Sequence, residues 1–381
     1  MRRSILLSLL ILAEIYATTY KPVQKTLFLD GKEIIVSMML LQKEGGRVAW
    51  YHGEKHELIA FDAIIDDITK NTDLFIMNPD GTGKKNISSR TKIPKGFIGQ
   101  PSWHPDGKHI ILQAEGAYSE HRFYNHMAWG INADLWILSI ETGEAEKIFV
   151  CQQNHAALHS HFNKYGTKLI FSYRIPTGKL LPPALRRFGP GGENTWDGWC
   201  IYTADFNIKA KGLEKLTGVR TFFENKGGFF ETHGFTDEGG FIFSYTPDGK
   251  AYVDDVYTCD RDGAEIINLI NSPSTWEEHG SFSPQGGTLA FISSRFDKSW
   301  RAPGSKANTL RTELYLKGRN GDVVQLTDMN KILDADKRYL VSDFDWDKSG
   351  KRIVFQVAPA GHSPQESYSP QIWMAVFSLS L

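Results

Sequence analysis

The amino-acid sequence predicts an all-β protein, a β-propeller built from six four-stranded antiparallel blades. Six times along the chain an aromatic residue is followed by a glycine turn and a short apolar strand. These aromatic anchors lie 47 to 73 residues apart, at Trp50, Trp103, Phe162, Phe235, Phe282 and Trp346. Each run is followed by a second unit of strand, turn and strand. A period of this length, made of strands and turns, is typical of a radial β-repeat.

The second unit of each repeat predicts a hairpin. Turn dipeptides such as Asp80-Gly81, Asp262-Gly263 and Asn320-Gly321 separate two short strands, which is a strong hairpin signal. Together with the first unit, each repeat therefore holds four strands, the content of one propeller blade. The repeats begin near residues 46, 99, 158, 231, 278 and 342.

The two chain ends are expected to close the ring. The sixth repeat reaches only its third strand before Leu381, and the segment 25–36 (KTLFLDGKEIIV) predicts a strand ahead of the first repeat. Pairing of the N- and C-terminal strands would remove the exposed edges of the first and last blades. Seven blades is the alternative count, if residues 20–45 pair with part of the 174–198 insertion.

The N-terminus predicts export. Met1-Arg2-Arg3 precedes an apolar run of signal-peptide length, SILLSLLILAEIYA. We interpret residues 1–17 as a signal peptide and residues 20–381 as a single propeller domain. The mature protein would be periplasmic or secreted, with no stable membrane span after cleavage; an uncleaved hydrophobic N-terminus is the alternative. The formal net charge of -1 gives no reason to expect nucleic acid as a partner.

Cysteine usage argues against a thiolate metal site. The chain has only three cysteines, widely spaced and without a CxxC pair: Cys151, Cys200 and Cys259. We expect buried thiols, and the sequence leaves their disulfide state open.

Blade geometry sorts the histidines onto two faces. The connections between blades and the loop between the second and third strands share one face, which we call the mouth face, and the two hairpin turns share the other. Four histidines fall at the turns, where we expect solvated side chains: His52, His56, His104 and His109. The other eight fall on the mouth face: His121, His126, His155, His159, His161, His233, His279 and His362.

The starts of the innermost strands converge on the propeller axis. They bring together Gln100, His159 or His161, His233, His279 and Asp343, backed by Glu231, Glu277 and Glu278. Imidazoles and carboxylates in one polar pocket can bind a divalent metal, here manganese or zinc, or carry acid–base chemistry near neutral pH. A water-filled polar channel is the alternative. The candidate metal ligands are His159, His161, His279 and Asp343.

Long segments on the mouth face supply basic and aromatic side chains. Guanidinium groups beside flat aromatic rings suit an acidic sugar, because they pair with a carboxylate or sulfate while the sugar stacks on the ring. A solvated loop surface is the alternative. The candidate substrate-binding residues are His121, Arg122, Tyr124, His126, Arg186, Arg187, Trp196, Trp199, Trp300 and Arg301.

The repeats resemble those of the TolB-like propeller family. The runs SWHPDGKHIIL (102–112), SFSPQGGTLAF (281–291) and DLFIMNPDGTGKKNIS (73–88) match its motif of an aromatic-Ser-Pro-Asp-Gly-Lys turn and an aliphatic-Tyr-x-Met-Asn-x-Asp-Gly strand pair. The resemblance covers nearly all of the mature chain and implies the fold. Propellers of this family serve as binding platforms, enzymes and accessory domains. One interpretation is therefore a platform that binds an envelope protein or an acidic glycan at the channel mouth.

A second, local resemblance concerns residues 232–240. The fragment THGFTDEGG is similar to the strand-entry motif of oligogalacturonate lyases, which are manganese-dependent propellers. By that resemblance His233 would abstract the proton α to a uronate carboxylate, and His279 would bind the metal. Arginine also stabilises the developing charge in that family, and the candidates here are Arg174 and Arg295. The metal ligands depart from the family at Glu277 and Asp343. The alternative function is therefore a metal-assisted polysaccharide lyase.

Overall fold

The computed structural model describes residues 22–51, 53, 57–122, 125, 129–224, 226–247, 253–300, 309–334, 336–360 and 370–381. Within them, six antiparallel sheets stand around a central axis, so the prediction of an all-β, six-bladed propeller is confirmed. The predicted signal peptide, residues 1–17, lies outside the described residues.

The described strands are β1 (Val23–Leu29), β2 (Lys32–Gln42), β3 (Val48–Trp50), β4 (Ile59–Ile64), β5 (Thr72–Met77), β6 (Lys85–Asn86), β7 (Ile98–Trp103), β8 (His109–Glu115), β9 (Ala133–Ser139), β10 (Ala145–Phe149), β11 (Ala156–Phe162), β12 (Lys168–Arg174), β13 (Trp199–Phe206), β14 (Leu216–Phe222), β15 (Phe229–Phe235), β16 (Phe241–Thr246), β17 (Asp255–Cys259), β18 (Ile267–Asn268), β19 (Glu277–Phe282), β20 (Leu289–Ser293), β21 (Glu313–Lys317), β22 (Val323–Gln325), β23 (Arg338–Trp346), β24 (Arg352–Ala360) and β25 (Gln371–Phe377). Blades 1 to 5 each take four consecutive strands, beginning with β3, β7, β11, β15 and β19. These first strands, with β23 of blade 6, contact one another around the axis.

Helices are confined to connections in the described part of the chain. Three are short 3-10 helices, at Pro183–Phe188, Pro190–Gly192 and Gly212–Lys215, and one is a single α-helical turn at Met329–Ile332. Among the described residues, none of these helices has the length and apolar character that crossing a membrane requires.

Both chain ends meet in blade 6 and close the ring. Its strand order is β1-β2-β25-β24-β23, and the register of β2 on β25 places Met38 opposite Ala375. The predicted closure is therefore confirmed. The blade has five strands rather than four, because the Asp30-Gly31 turn, with both residues at positive φ, folds β1 back onto β2.

The extra strand also ties blade 6 to blade 5. Lys25 Nζ lies 2.6 Å from the carboxylate of Asp328, and the Asp30 carboxylate accepts the backbone N–H groups of Arg319 and Asn320. Part of the outer edge of the closing sheet is therefore covered by the neighbouring blade.

The hydrophobic core lies between neighbouring blades rather than at one centre. The cluster between blades 5 and 6 includes Met38, Trp346 and Trp373, each no more than 1% exposed. Strands that are covered on both faces by adjacent blades account for the near-continuous apolar runs in the sequence. The three cysteines are free and buried, as expected, and burial raises the pKa of Cys200 to about 12.

The seven-blade alternative is wrong. Residues 175–198 connect β12 to β13 and contain two of the 3-10 helices but no strand. Arg174 holds this connection in place. Its buried guanidinium donates to the carbonyl oxygens of Asn154, Asn194 and Asp197, and it lies 3.0 Å from the carboxylate of Glu193.

Truncating Met38 to alanine should lower the free energy of unfolding by about 2–5 kcal/mol, because its side chain is fully buried in the closing strand pair. Met39→Ala is a matched control. It removes the same atoms from the opposite face of β2, where the side chain is 37% exposed, and should cost less than about 1 kcal/mol. Urea unfolding measures both variants, and equal losses would contradict the register of β2 on β25.

Candidate functional site

A β-bulge recurs near the middle of the innermost strand in blades 2 to 6. The residues left unpaired include, in blade order, Gln100, His159, His233, His279 and Asp343. A bulge turns a side chain out of the alternating pattern of a strand. Three of these residues, Gln100, His159 and His279, have φ values of 51°, 49° and 53°, which non-glycine residues rarely adopt. All five side chains line one cavity on the propeller axis.

Arg47, immediately before β3, supplies the corresponding side chain from blade 1. The six residues, one from each blade, are called the axial ring: Arg47, Gln100, His159, His233, His279 and Asp343. The cavity that they line, the axial cavity, has a volume of about 250 Å³. A further tier, two residues along the inner strands, contributes His161 and Asp345 to its wall. The axial cavity therefore lies in the half of the channel towards the hairpin turns, and not at the mouth face where the sequence predicts it.

Two histidines and one glutamate at the axial cavity come close enough to share a metal ion. His159 Nε2 contacts Glu231 Oε1, and His279 Nε2 lies 3.6 Å from the same oxygen. The ligand atoms of these three residues, the His–Glu–His cluster, all lie within 4.8 Å of one another. Asp343 Oδ1 lies 3.9 Å from His279 Nε2, beside the cluster. His161 lines the cavity but is not a member of the cluster.

Buried carboxyl groups crowd around the His–Glu–His cluster. Burial raises the pKa of Glu231, Glu278 and Asp254, and repulsion from Glu231 raises it further for the other two. Burial also acts against ionisation of Asp343, but Arg47, whose Nε lies 3.8 Å from Asp343 Oδ1, helps to hold this pKa below its usual value. Four acidic groups therefore surround a ring that contains one arginine, which is an environment suited to a cation.

Three of the cavity histidines, His159, His161 and His233, are uncharged near neutral pH. Burial lowers the pKa of His159 and His161 to about 4, and it lowers that of His233 well below its usual value. Neutral imidazole is the form that binds metal ions and accepts protons. The ring of His233 is oriented by a 2.6 Å hydrogen bond between its Nε2 and Ser244 Oγ.

A hydrogen-bond chain fixes His159 to the neighbouring blades. Gln100 Oε1 accepts the backbone N–H of His159 at 2.8 Å, and Gln100 Nε2 lies 3.1 Å from His159 Nε2. The backbone N–H groups of Gln100 and Arg47 donate to the two oxygens of Asp62, at 3.1 and 3.2 Å. Asp62 lies on β4, and burial raises its pKa to about 6. One buried carboxyl group thus positions two members of the axial ring.

The structure brings some of the predicted catalytic and metal-binding residues together and separates others. Around the axial cavity lie the predicted base and the four predicted ligands, namely His233, His159, His161, His279 and Asp343. Neither predicted arginine lies there. Arg174 is occupied with the 175–198 connection, and Arg295 lines a different cavity, where its Nη2 is 2.9 Å from Glu277 Oε1.

Among the described residues, the candidate substrate-binding side chains do not line the axial cavity. Trp199 and Trp300 are only 1% and 2% exposed and pack in the interior. Trp196 packs edge-on against Trp129 and Trp276. The exposed candidates are His121, Arg122, Arg186 and Arg187. Three more fall outside the described residues, Tyr124, His126 and Arg301.

Two residues of the site, Arg47 and Asp62, were not predicted. A signal for Arg47 was present, because it precedes its aromatic anchor Trp50 by three residues, just as Gln100 precedes Trp103. Aligning the repeats on their anchors would have found it. Asp62 interrupts an apolar strand, and its local sequence does not show which backbone groups it meets.

Replacing Asp62 with asparagine should change how stability depends on pH. As the pH rises, the Asp62 carboxyl ionises in the unfolded chain before it does so in the folded protein, because folding raises its pKa from 3.8 to about 6. The folded protein therefore loses stability, on the order of 3 kcal/mol, as the pH rises through this interval. Asp62→Asn cannot ionise there, so the variant should gain about 2–3 kcal/mol relative to wild type between about pH 4 and about pH 7.5.

Urea unfolding at the two pH values measures this difference. Asp67→Asn is the control, because its carboxylate is 85% exposed and its removal should give nearly the same change in stability at both pH values. A constant gap between wild type and Asp62→Asn would contradict the prediction.

No known family model matches this sequence, and no curated protein matches it. Its structure is nevertheless similar to solved propellers. A protein assigned as a gluconolactonase has a TM-score of 0.52 at 13% identity, over 94% of this chain and 99% of its own. An oligogalacturonate lyase in complex with manganese has a TM-score of 0.47 at 11% identity, over 94% of this chain and 96% of its own. A protein from Agrobacterium tumefaciens assigned as TolB has a TM-score of 0.46 at 16% identity, over 77% of this chain and 92% of its own. At these identities the similarity concerns the fold alone: the chain is a six-bladed propeller, and solved structures with a similar fold include TolB-like and oligogalacturonate lyase propellers.

Proposed function

We propose that this protein is an exported propeller that binds an acidic glycan in its axial cavity with the help of a divalent metal, manganese or zinc. The observation that carries the proposal is the His–Glu–His cluster, whose ligand atoms lie within 4.8 Å of one another at a cavity rich in buried carboxyl groups. Export rests on the predicted signal peptide alone.

The residues present fit a metal ion. Both ring nitrogens of His279 are buried, and they have no hydrogen-bond partner among the described residues. Buried polar atoms normally have a partner, so two such atoms beside the Glu231 carboxyl group support a bound ion. Imidazole nitrogen and carboxylate oxygen are ligands that both zinc and manganese accept. His159, Glu231 and His279 would hold the ion, with Asp343 beside them.

The size and polarity of the site favour a glycan over a protein partner. The axial cavity, at about 250 Å³, is concave and lined largely by imidazole, carboxyl, amide and hydroxyl groups. Specific protein interfaces are instead broad and have an apolar centre. A bound metal would supply a positive charge and an open coordination position for a carboxylate. Arg47 is the positively charged side chain of the axial ring and would lie near the same group.

A second candidate function, a polysaccharide lyase, is supported by one additional residue. His233 lines the same cavity, and its ring centre lies 5.0 Å from that of His279. With Nε2–H donating to Ser244, the Nδ1 atom of the neutral ring could accept the proton α to a uronate carboxylate. The electrons of the broken C–H bond would form the double bond as the glycosidic oxygen leaves.

The purified protein should contain about one manganese or zinc ion per chain, as measured by elemental analysis. His159→Ala, Glu231→Gln and His279→Ala should lose the ion because each removes a ligand. Gln100→Ala, which removes a group that orients a ligand, should weaken metal binding by about 10–100-fold. His155→Ala is the control, since this mouth-face histidine bonds to a tyrosine outside the cluster. A metal-free wild-type protein that takes up neither ion would contradict the proposal.

Polygalacturonate separates the two candidate functions. A lyase would produce ultraviolet absorbance from unsaturated uronate, and His233→Ala should reduce turnover by about 100-fold or more while the protein keeps its metal. A binding platform would be retained on immobilised polygalacturonate in a metal-dependent manner, and the ultraviolet absorbance would not change. Binding of polygalacturonate that persists unchanged in metal-free His279→Ala protein would contradict both.

A further inference from the structure

A second cavity lies at the start of blade 5, on the mouth face. Its volume is about 420 Å³, and its wall comes from the connection before β19 and the segment after β20. The residues that matter for its chemistry are Ser272, Thr275, Arg295, Asp297, Lys298 and Trp300. We call it the blade 5 cavity. It is lined largely by polar and charged groups, and the buried ring of Trp300 contributes to its wall.

Arg295 is held rigidly at this cavity. Its guanidinium lies over the rings of Phe291 and Tyr315, at 5.3 and 5.4 Å from their centres. Its Nη2 donates to Glu277 Oε1 at 2.9 Å and its Nε to Ser293 Oγ at 3.2 Å. The Nη1 nitrogen makes no hydrogen bond within the described residues and remains available at the cavity wall. A guanidinium fixed in this way is ready to pair with a carboxylate or sulfate.

The charges around the blade 5 cavity leave one cation without a partner. Glu277 is paired with Arg295, and Asp297 is paired with Arg311 at 2.8 Å. Lys298, exposed at the rim, forms no hydrogen bond or ion pair with any residue that the structure describes. A third carboxyl group beside the cavity, that of Asp255, accepts the backbone N–H of Ser272. Lys298 and the Nη1 nitrogen of Arg295 are the donors that remain available to an anionic ligand.

Hydroxyl groups complete a lining suited to a sugar. The Ser272 hydroxyl contacts that of Thr275, which donates to Glu277 Oε1 at 2.6 Å. The blade 5 cavity is separate from the axial cavity, because the lining of the axial cavity begins at His279 and runs towards the hairpin turns, and residues 276–278 line neither cavity. Its hydroxyl and guanidinium groups suit one anionic sugar unit.

We propose that the blade 5 cavity is a second binding site, for a sugar that carries a carboxylate or sulfate group. This site is separate from the axial cavity and needs no metal, so it is tested independently of the proposed function.

The test uses the full mature chain after treatment with EDTA, so that no axial metal contributes. Calorimetric titration at constant ionic strength compares D-galacturonate, glucose 6-sulfate and neutral glucose. We expect at least one acidic sugar to bind and glucose not to bind, and the preferred acid identifies the group as carboxylate or sulfate. Lys298→Gln should weaken this binding by about fivefold or more, since it removes one charge-assisted contact.

Lys209→Gln is the matched control. It removes an exposed lysine from the hairpin turn after β13, on the opposite face of the propeller, and should bind like wild type. The inference is overturned if neither acidic sugar binds, or if Lys298→Gln binds as tightly as wild type.

Because metal content is measured separately, a protein that binds acidic sugars through Lys298 but holds no metal contradicts the proposed function and not the anion site.

Discussion

The pairing of β2 with β25 is the interaction on which the rest of the molecule depends. It joins residues from opposite ends of the chain, with Met38 against Ala375, and so brings blade 1 against blade 6. Without it β25 would present an open sheet edge in blade 6, and Arg47 and Asp343 would lose their 3.8 Å contact across the junction. Closing the ring and assembling the axial site are therefore the same event.

The axial site owes its composition to one position in each repeat. The fold supplies six inner strands and a bulge near the middle of five of them, but the same architecture can carry many functions. What distinguishes this propeller is the set of side chains at the bulges: imidazoles, a carboxylate and an amide, with buried acidic groups such as Glu231 and Glu278 behind them. Confining this much acidity costs stability unless a cation offsets it. The blade 5 cavity differs in that it presents Lys298, a cation with no partner among the described residues.

The sequence was sufficient for most of the fold because the determining signals are local. Aromatic anchors and hairpin turns can be counted, and the missing strand of the sixth repeat indicates where the N-terminus must pair. The fifth strand of blade 6 was missed because it depends on the conformation of one turn, Asp30-Gly31. The histidines at the axis were also predictable, since repeats place equivalent residues around one axis. The partners of Arg174 and Arg295 were not, because loop conformation decides that these arginines meet Glu193 and Glu277.

Gln100, His159 and His279 adopt a left-handed backbone in the bulges of three blades. Side chains other than glycine are disfavoured there by about 1–2 kcal/mol per residue. Substitution by glycine, which usually destabilises a strand, would relieve the backbone strain at these three positions. It would also delete a side chain of the axial site. Selection for stability alone would erase half of the axial ring. The presence of a glutamine and two histidines in this conformation is thus a trace of selection for what the side chains do.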